Sequence, residues 1–147
     1  MVDVVTPEVR SRMMAGIRAK NTKPEMVVRQ GLHRLGFRFR LHDKKLPGKP
    51  DLVFPKFGSA IFVNGCFWHA HDCHMFKLPK SRTDFWCKKF TENQKRDQRV
   101  RRQLDQMGIR HLTIWECDLM NKSSAKIFLL LDECAAWLRR DEDGMGR

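Results

Sequence analysis

The spacing of apolar side chains divides the chain into alternating helical and extended segments. Thr6-Pro7 has the form of a helix start, and Val9, Met13 and Ile17 follow at four-residue spacing, which predicts a helix within residues 1–20. Thr22-Lys23-Pro24-Glu25 reads as a capping box, with Thr22 as N-cap and Glu25 at the third helical position. Val28, Leu32 and Leu35 then share one face, and Gly36 ends the helix. Phe37, Phe39 and Leu41 alternate with arginines, as in a half-buried strand. Residues 42–50 form a basic loop with a Pro-Gly turn, 51–54 a short strand, 55–58 a turn and 60–63 a buried strand. Residues 64–83 have no period and read as an irregular loop. Residues 84–107 predict a long helix stopped by Gly108, and 109–115 a strand. Residues 124–139 predict a last helix, with Phe128, Leu131, Ala135 and Leu138 on its buried face, and the tail from 140 reads as frayed. The order helix, antiparallel strands, helix, strand, helix predicts an α/β core with a mixed sheet.

Composition narrows what such a core would do. At 147 residues with no repeat or linker, a single domain is expected. The net charge of +12 favours a polyanionic partner, although a merely soluble basic protein has the same balance. No apolar run is long enough to span a bilayer, and MVDVVTPEVR lacks a signal-peptide core. Five cysteines, an odd number, suggest metal or free thiols in a reducing cytosol, not disulfides.

The chemistry concentrates in NGCFWHAHDCH, residues 64–74. Cys66, His71 and Cys73 are zinc-ligand types, and Cys117, just past the strand ending at Trp115, is the best fourth. Cys87 lies within the long helix and Cys134 looks like core. The spacing is not the usual CxxC knuckle, so loop cysteines without metal remain an alternative. Phe67-Trp68, inside the same cluster, are flat side chains suited to entering a base stack. Trp86 is a third aromatic nearby in sequence, whereas Trp115 and Trp137 sit in periodic segments and read as core. Asp51, at a strand start in a basic stretch, can hold Mg²⁺, with Glu25 as a second, water-mediated carboxylate. The capping box alone also accounts for Glu25. Asp72 lies between two expected zinc ligands and is solvated or supports them. His69 can exchange a proton at a phosphate or simply pack. On the long helix, Lys89, Asn93 and Arg96 are candidate DNA contacts within a dense basic surface.

RSRMMAGIRAKNT, LPGKPDLVF, FVNGCFWHAHDC, RTDFW, ENQKRD and IWEC together resemble the very-short-patch-repair (Vsr) DNA mismatch endonucleases over nearly the whole chain. The combination of GKPD, GCFWH and WEC carries most of that specificity. The resemblance implies a restriction-endonuclease-like core of the PD-(D/E)XK type, with a mixed sheet flanked by helices and a structural zinc loop. It implies nicking of one strand 5′ to the thymine of a T:G mismatch, the product of 5-methylcytosine deamination. It implies Mg²⁺ at Asp51 with Glu25 close by, and structural Zn²⁺ on Cys66, His71, Cys73 and Cys117. It implies that Phe67, Trp68 and Trp86 wedge beside the mismatch, that Met14 reaches the minor-groove side, and that His69 is catalytic. Mismatch-repair proteins and a repair polymerase are the implied partners, the bacterial cytoplasm and its nucleoid the implied place, and a monomer the expected state.

One departure matters. The best-known members have a histidine where this chain has Asn64, and that histidine is the usual candidate for activating water. Asn64 can position a water but cannot take its proton near neutral pH. Either the proton work falls to His69 or to a metal-bound hydroxide, or the enzyme is slow. Position 63 is Val, so a metal contact there must come from its backbone carbonyl. A zinc-containing DNA-binding module without catalysis and a restriction-type nuclease on matched DNA are the competing functions.

Overall fold

The computed structural model describes residues 21–140, so the expected N-terminal helix with Met14 and the tail from 141 lie outside the described residues. Thr22 caps the first described helix, α1 (Lys23–Arg34), its hydroxyl accepting from the Glu25 N–H at 3.4 Å. The reciprocal half of the expected capping box is shifted by one residue, because Glu25 Oε1 accepts from the Asn21 N–H, not from Thr22. That shift turns the second carboxylate oxygen away from the cap. Gly36 adopts φ +99°, and the Phe37 N–H closes the helix end on the Leu32 carbonyl at 3.0 Å.

That closure shortens the next strand. The half-buried strand expected over 37–41 is only β1 (Arg40–Leu41), since the Phe37 amide serves α1. Phe37 and Phe39 instead pack edge-on or tilted against Phe54, with ring centroids 6.2 and 5.4 Å away. β2 (Leu52–Phe54) and β3 (Ser59–Asn64) follow, joined through a 3₁₀ turn at Pro55–Phe57. α2 (Thr83–Gln106) then leads to β4 (Arg110–Trp115), a four-residue helix α3 (Glu116–Leu119) and α4 (Ser124–Arg139). α3 is too short to leave a period in the sequence.

The sheet order is β1-β2-β3-β4. The β1–β2 and β2–β3 pairs are antiparallel and β3–β4 is parallel, giving the expected mixed α/β architecture. A parallel pair needs a long crossover, and α2 supplies it. Leu52, Phe54, Ile61 and Ile114 meet Val28 and Leu32 of α1 and Leu131, Cys134, Ala135 and Leu138 of α4 in one core cluster. Each fully buried aliphatic or aromatic side chain there contributes on the order of 1.5–3 kcal/mol. Gly31 permits the close approach of α1 and α4: a Cβ there would lie 2.3 Å from Leu131 Cδ1. Phe128 is not on the buried face, being 61% exposed. Leu131, Ala135 and Leu138 are buried as expected, with Ile127 and Leu130 packed beside them. Arg110 closes the C-terminus of α4, donating to the Trp137 and Leu138 carbonyls at 3.0 Å each.

The opposite face of the sheet positions the site. Gly48 (φ +75°) lets the loop before β2 run against α2, where a Cβ would lie 2.5 Å from Val100 Cγ1 and 3.3 Å from Phe62 Cε1. No helix among the described residues is long and apolar enough to cross a membrane.

Candidate active site and metal centre

The β2–β3 ladder fixes Asp51. Its last pair is Leu52↔Ile61, and two residues further along β3 the Val63 N–H donates at 2.7 Å to Asp51 Oδ2 instead of to a strand. Across the other edge the Leu41↔Leu52 pair continues as a bond from the His42 N–H to the Asp51 carbonyl at 3.1 Å. His42 has φ +49°, a conformation that few non-glycine residues hold without a local reason. Its Nε2 lies 2.8 Å from Glu25 Oε2 and 4.0 Å from Asp51 Oδ1. Glu25 is only 2% exposed, and Arg29 Nη1 also reaches its Oε2 at 3.4 Å. Glu25, His42 and Asp51 therefore form a group able to hold a cation, with ligand atoms within 4.8 Å of one another.

Burial pushes the Asp51 carboxyl up from 3.8 to about 6; the Val63 N–H and His42 oppose the shift, and the nearby Glu25 charge reinforces it. A cation beside these carboxylates would offset the repulsion. The group lies in a cleft of about 1060 Å³ that also receives Asn64, Trp68, His69, Asp97, Arg96 and Lys49. Asn64 ends β3 opposite Trp115.

α2 holds the irregular loop through a row of side chains. Asn93 Nδ2 donates to the Trp68 carbonyl at 2.8 Å, and Gln94 Nε2 to the His69 carbonyl at 3.2 Å. Asp97 Oδ2 lies 2.5 Å from His69 Nδ1. That contact orients the imidazole and leaves Nε2 as the nitrogen able to meet a substrate. Asn93, expected to touch DNA, is 5% exposed and positions the Trp68 backbone. Arg96 is exposed on the same helix, and Lys89 is half-buried. Sequence reasoning missed both Asp97 and His42. An acid in a charged helix carries no signal of its own, but a histidine following an alternating segment, opposite Asp51, could have been found from the strand register.

The second metal-ligating group lies past the ends of β3 and β4. Cys66, His71, Cys73 and Cys117 bring their ligand atoms within 4.8 Å of one another. His71 Nδ1 is 3.7 Å from Cys66 Sγ and 3.6 Å from Cys117 Sγ. A tetrahedral zinc with ordinary Zn–S and Zn–N bonds spaces such atoms by about 3.6 Å. The Cys117 N–H donates to Cys66 Sγ at 3.4 Å, and the Cys66 N–H to Glu116 Oε1 at 3.3 Å. Burial pushes the Cys66 thiol up to about 12 and also raises Cys117, while at Cys73 burial is outweighed by hydrogen bonds from its neighbours, which lower it. Cys66 and Cys117 would therefore become thiolates only with a cation beside them. Trp115 is not core: it is half-buried, and the His71 ring stacks on it at 3.9 Å and 7°. Cys134 is buried as expected, Cys87 is exposed, and Asp72 is exposed outside the ligand group.

Phe67 sits at the centre of an aromatic cluster, with Trp68, Trp86 and Phe90 ring centroids 5.1, 5.2 and 5.3 Å away. Phe67, Trp68 and Trp86 are all half-buried, so the flat side chains beside the cleft pack on one another.

The Asp51 shift sets a stability prediction. The unfolded carboxyl releases its proton near 3.8 and the folded one near 6, so stability falls as pH rises through that window. The penalty stays in full above it, at about 2–3 kcal/mol. Asp51→Asn keeps an oxygen for the Val63 N–H and removes the charge. In magnesium-free buffer, urea unfolding should show the Asp51→Asn variant more stable than wild type at pH 8 and equal to it at pH 4. A wild type at least as stable at pH 8 would contradict the burial of a reluctant charge.

The chain as a whole is similar to known proteins. The family model described as DNA mismatch endonuclease Vsr matches residues 2–75. The chain is similar to "Type II nicking enzyme V.XorIIP" of Xanthomonas oryzae pv. oryzae, 50% identical over 119 residues, 81% of this chain and 88% of the relative. It is 44% identical over 123 residues to "Type II nicking enzyme V.NmeAIP" of Neisseria meningitidis, covering 84% of this chain and 88% of the relative. It is 37% identical over 138 residues to "DNA mismatch endonuclease Vsr" of Escherichia coli, covering 94% of this chain and 88% of that protein. The match thus extends from the carboxylate-lined cleft through the cysteine cluster, and the chain belongs to the Vsr family of DNA mismatch endonucleases.

Proposed function

We propose that this chain is a Mg²⁺-dependent endonuclease with a restriction-endonuclease-like core that nicks one strand 5′ to the thymine of a T:G mismatch. The observation that carries the reading is the single cleft uniting the Glu25 and Asp51 carboxylates, the His69–Asp97 pair and the Phe67-Trp68 loop. A module that only binds DNA gains nothing from two carboxylates facing phosphates.

Asp51 would hold Mg²⁺, with Glu25 close by. N–H and C=O of one strand residue point to the same edge, so the Val63 carbonyl faces the Asp51 side, as its amide does. Mg²⁺ so held supplies neutralisation of charge on the scissile phosphate and the leaving oxygen. Asn64, at the rim of the cleft, hydrogen-bonds and orients the attacking water. His69 Nε2 moves the proton while Asp97 holds the ring in place through Nδ1. Lys49 and Arg96, lining the same cleft, draw in the phosphate backbone.

Phe67, Trp68 and Trp86 supply discrimination. A T:G pair deforms more easily than a matched pair, so opening its stack costs less. The aromatic cluster must leave its own packing to enter the helix, which makes the exchange favourable only where the bases part readily. The cysteine cluster is read as a closed structural zinc site that fixes the loop carrying these rings.

Single-turnover cleavage of otherwise identical T:G and matched duplexes in Mg²⁺ tests the activity. Expected is a nick in the T-containing strand of the mismatch only, with Asp51→Ala inactive but still binding. Equal cutting of both duplexes would refute the mismatch assignment, and an active Asp51→Ala would refute the metal assignment. Trp68→Ala should weaken mismatched DNA more than matched DNA, by about 1–3 kcal/mol if its ring stacks on a base. Equal losses on both duplexes, measured by fluorescence anisotropy, would make Trp68 a packing residue.

A further inference from the structure

We propose that His42 is a direct third ligand of the cation at Asp51, giving the site one nitrogen and two carboxylate oxygens and a preference for imidazole-binding divalent ions of the Mn²⁺ class over Mg²⁺. The inference rests on the proposed cation site and adds to it a ligand and a selectivity.

The geometry begins with how each side chain is held. Glu25 Oε1 is occupied by the Asn21 N–H and Asp51 Oδ2 by the Val63 N–H. The His42 backbone is tied to the Asp51 carbonyl. Asp51 Oδ1 and His42 Nε2 converge on Glu25 Oε2, which Arg29 Nη1 also reaches, at 3.4 Å. Nε2 is 2.8 Å from Oε2 and 4.0 Å from Oδ1. Around an octahedral ion with bonds of about 2.0–2.1 Å, adjacent ligand atoms lie about 2.8–3.0 Å apart and opposite ones about 4.0–4.2 Å apart. The two observed separations match one adjacent edge and one opposite pair. His42 also keeps a left-handed backbone at φ +49° to reach this point. Glu25 and His42 are nearly sealed, with side chains 2% and 10% exposed, which leaves the cleft side for substrate and water.

The chemistry of the donor set then decides the ion. Mg²⁺ prefers oxygen and keeps its waters, so it gains little from an imidazole. First-row transition ions bind a mixed nitrogen and oxygen site more tightly. In this chain the amide of Asn64 stands where the resemblance implies an imidazole in the best-known members. His42 supplies a ring nitrogen at the carboxylates themselves, in contact with the ion instead of with the attacking water.

Mn²⁺ alone, added to the full-length protein, is the probe. Electron spin-echo envelope modulation should show a directly coordinated ¹⁴N, and titration of the free-Mn²⁺ signal should give one ion released by Asp51→Ala. His42→Gln should abolish the nitrogen modulation and weaken Mn²⁺ by about tenfold or more, a typical cost for a metal-site partner. Mg²⁺ affinity, read by competition, should change much less. Mn²⁺ bound at Asp51 without nitrogen coupling in the wild type would overturn the inference and leave the nuclease reading intact. Modulation that survives His42→Gln would overturn it as well, by placing the nitrogen on another histidine. No divalent ion bound at all, with no nicking, would overturn the nuclease reading and this inference together.

Discussion

The parallel ladder between β3 and β4 is the constraint from which the site follows. It runs for six pairs, from Ser59↔Arg110 to Asn64↔Trp115, and both strands end at the same level. The two segments beyond that edge carry Cys66 and Cys117, which meet through the Cys117 N–H and Cys66 Sγ. Parallel pairing also obliges the chain to cross over through α2. The same helix then returns Asn93, Gln94 and Asp97 to the loop at Trp68 and His69. One pairing choice thus sets the cysteine cluster, the aromatic loop and His69 around a single edge. On the far side of β3, where β2 has already ended, Asp51 takes the free Val63 amide and faces the same cleft.

The arrangement works against stability in several places. Asp51 is pushed up to about 6 by burial, and Glu25 is 2% exposed beside it. His42, Lys49 and Ala70 hold positive φ angles of 49°, 47° and 47°. Such conformations cost of order 1–3 kcal/mol each in non-glycine residues and persist where the surroundings over-determine them. The cluster between α1, α4 and the sheet supports these groups: Glu25 lies with Val28 and Leu32 on the buried stripe of α1, and Val63 borders both cluster and cleft.

What was legible in the sequence was local. α4, α2 and the cap at Thr22 were legible because periodic apolar positions and capping residues act locally. The cysteine group was legible because its residue types are few and their chemistry narrow. Phe128 misled because it lies at the margin of a stripe whose other members, Leu131, Ala135 and Leu138, are buried. Trp115 misled because an aromatic ending an apolar strand looks like core, whereas its neighbour is His71 from a distant loop. Asp97 and His42 acquire meaning only through strand register and helix docking, which no short window contains. Asn93 reads as a helix-surface amide until the Trp68 carbonyl is seen beneath it.

If metal at the cysteine cluster fixes the aromatic loop, the loop and the sheet are separable in stability. Amide hydrogen exchange of the full chain, before and after the cluster's metal is removed by a chelator, measures this directly. Expected is loss of protection across residues 64–83 and α3, with β2 and the α1–α4 core unchanged. Unaltered exchange in 64–83 after complete metal removal would contradict the dependence of the loop, and of the site it carries, on the cluster.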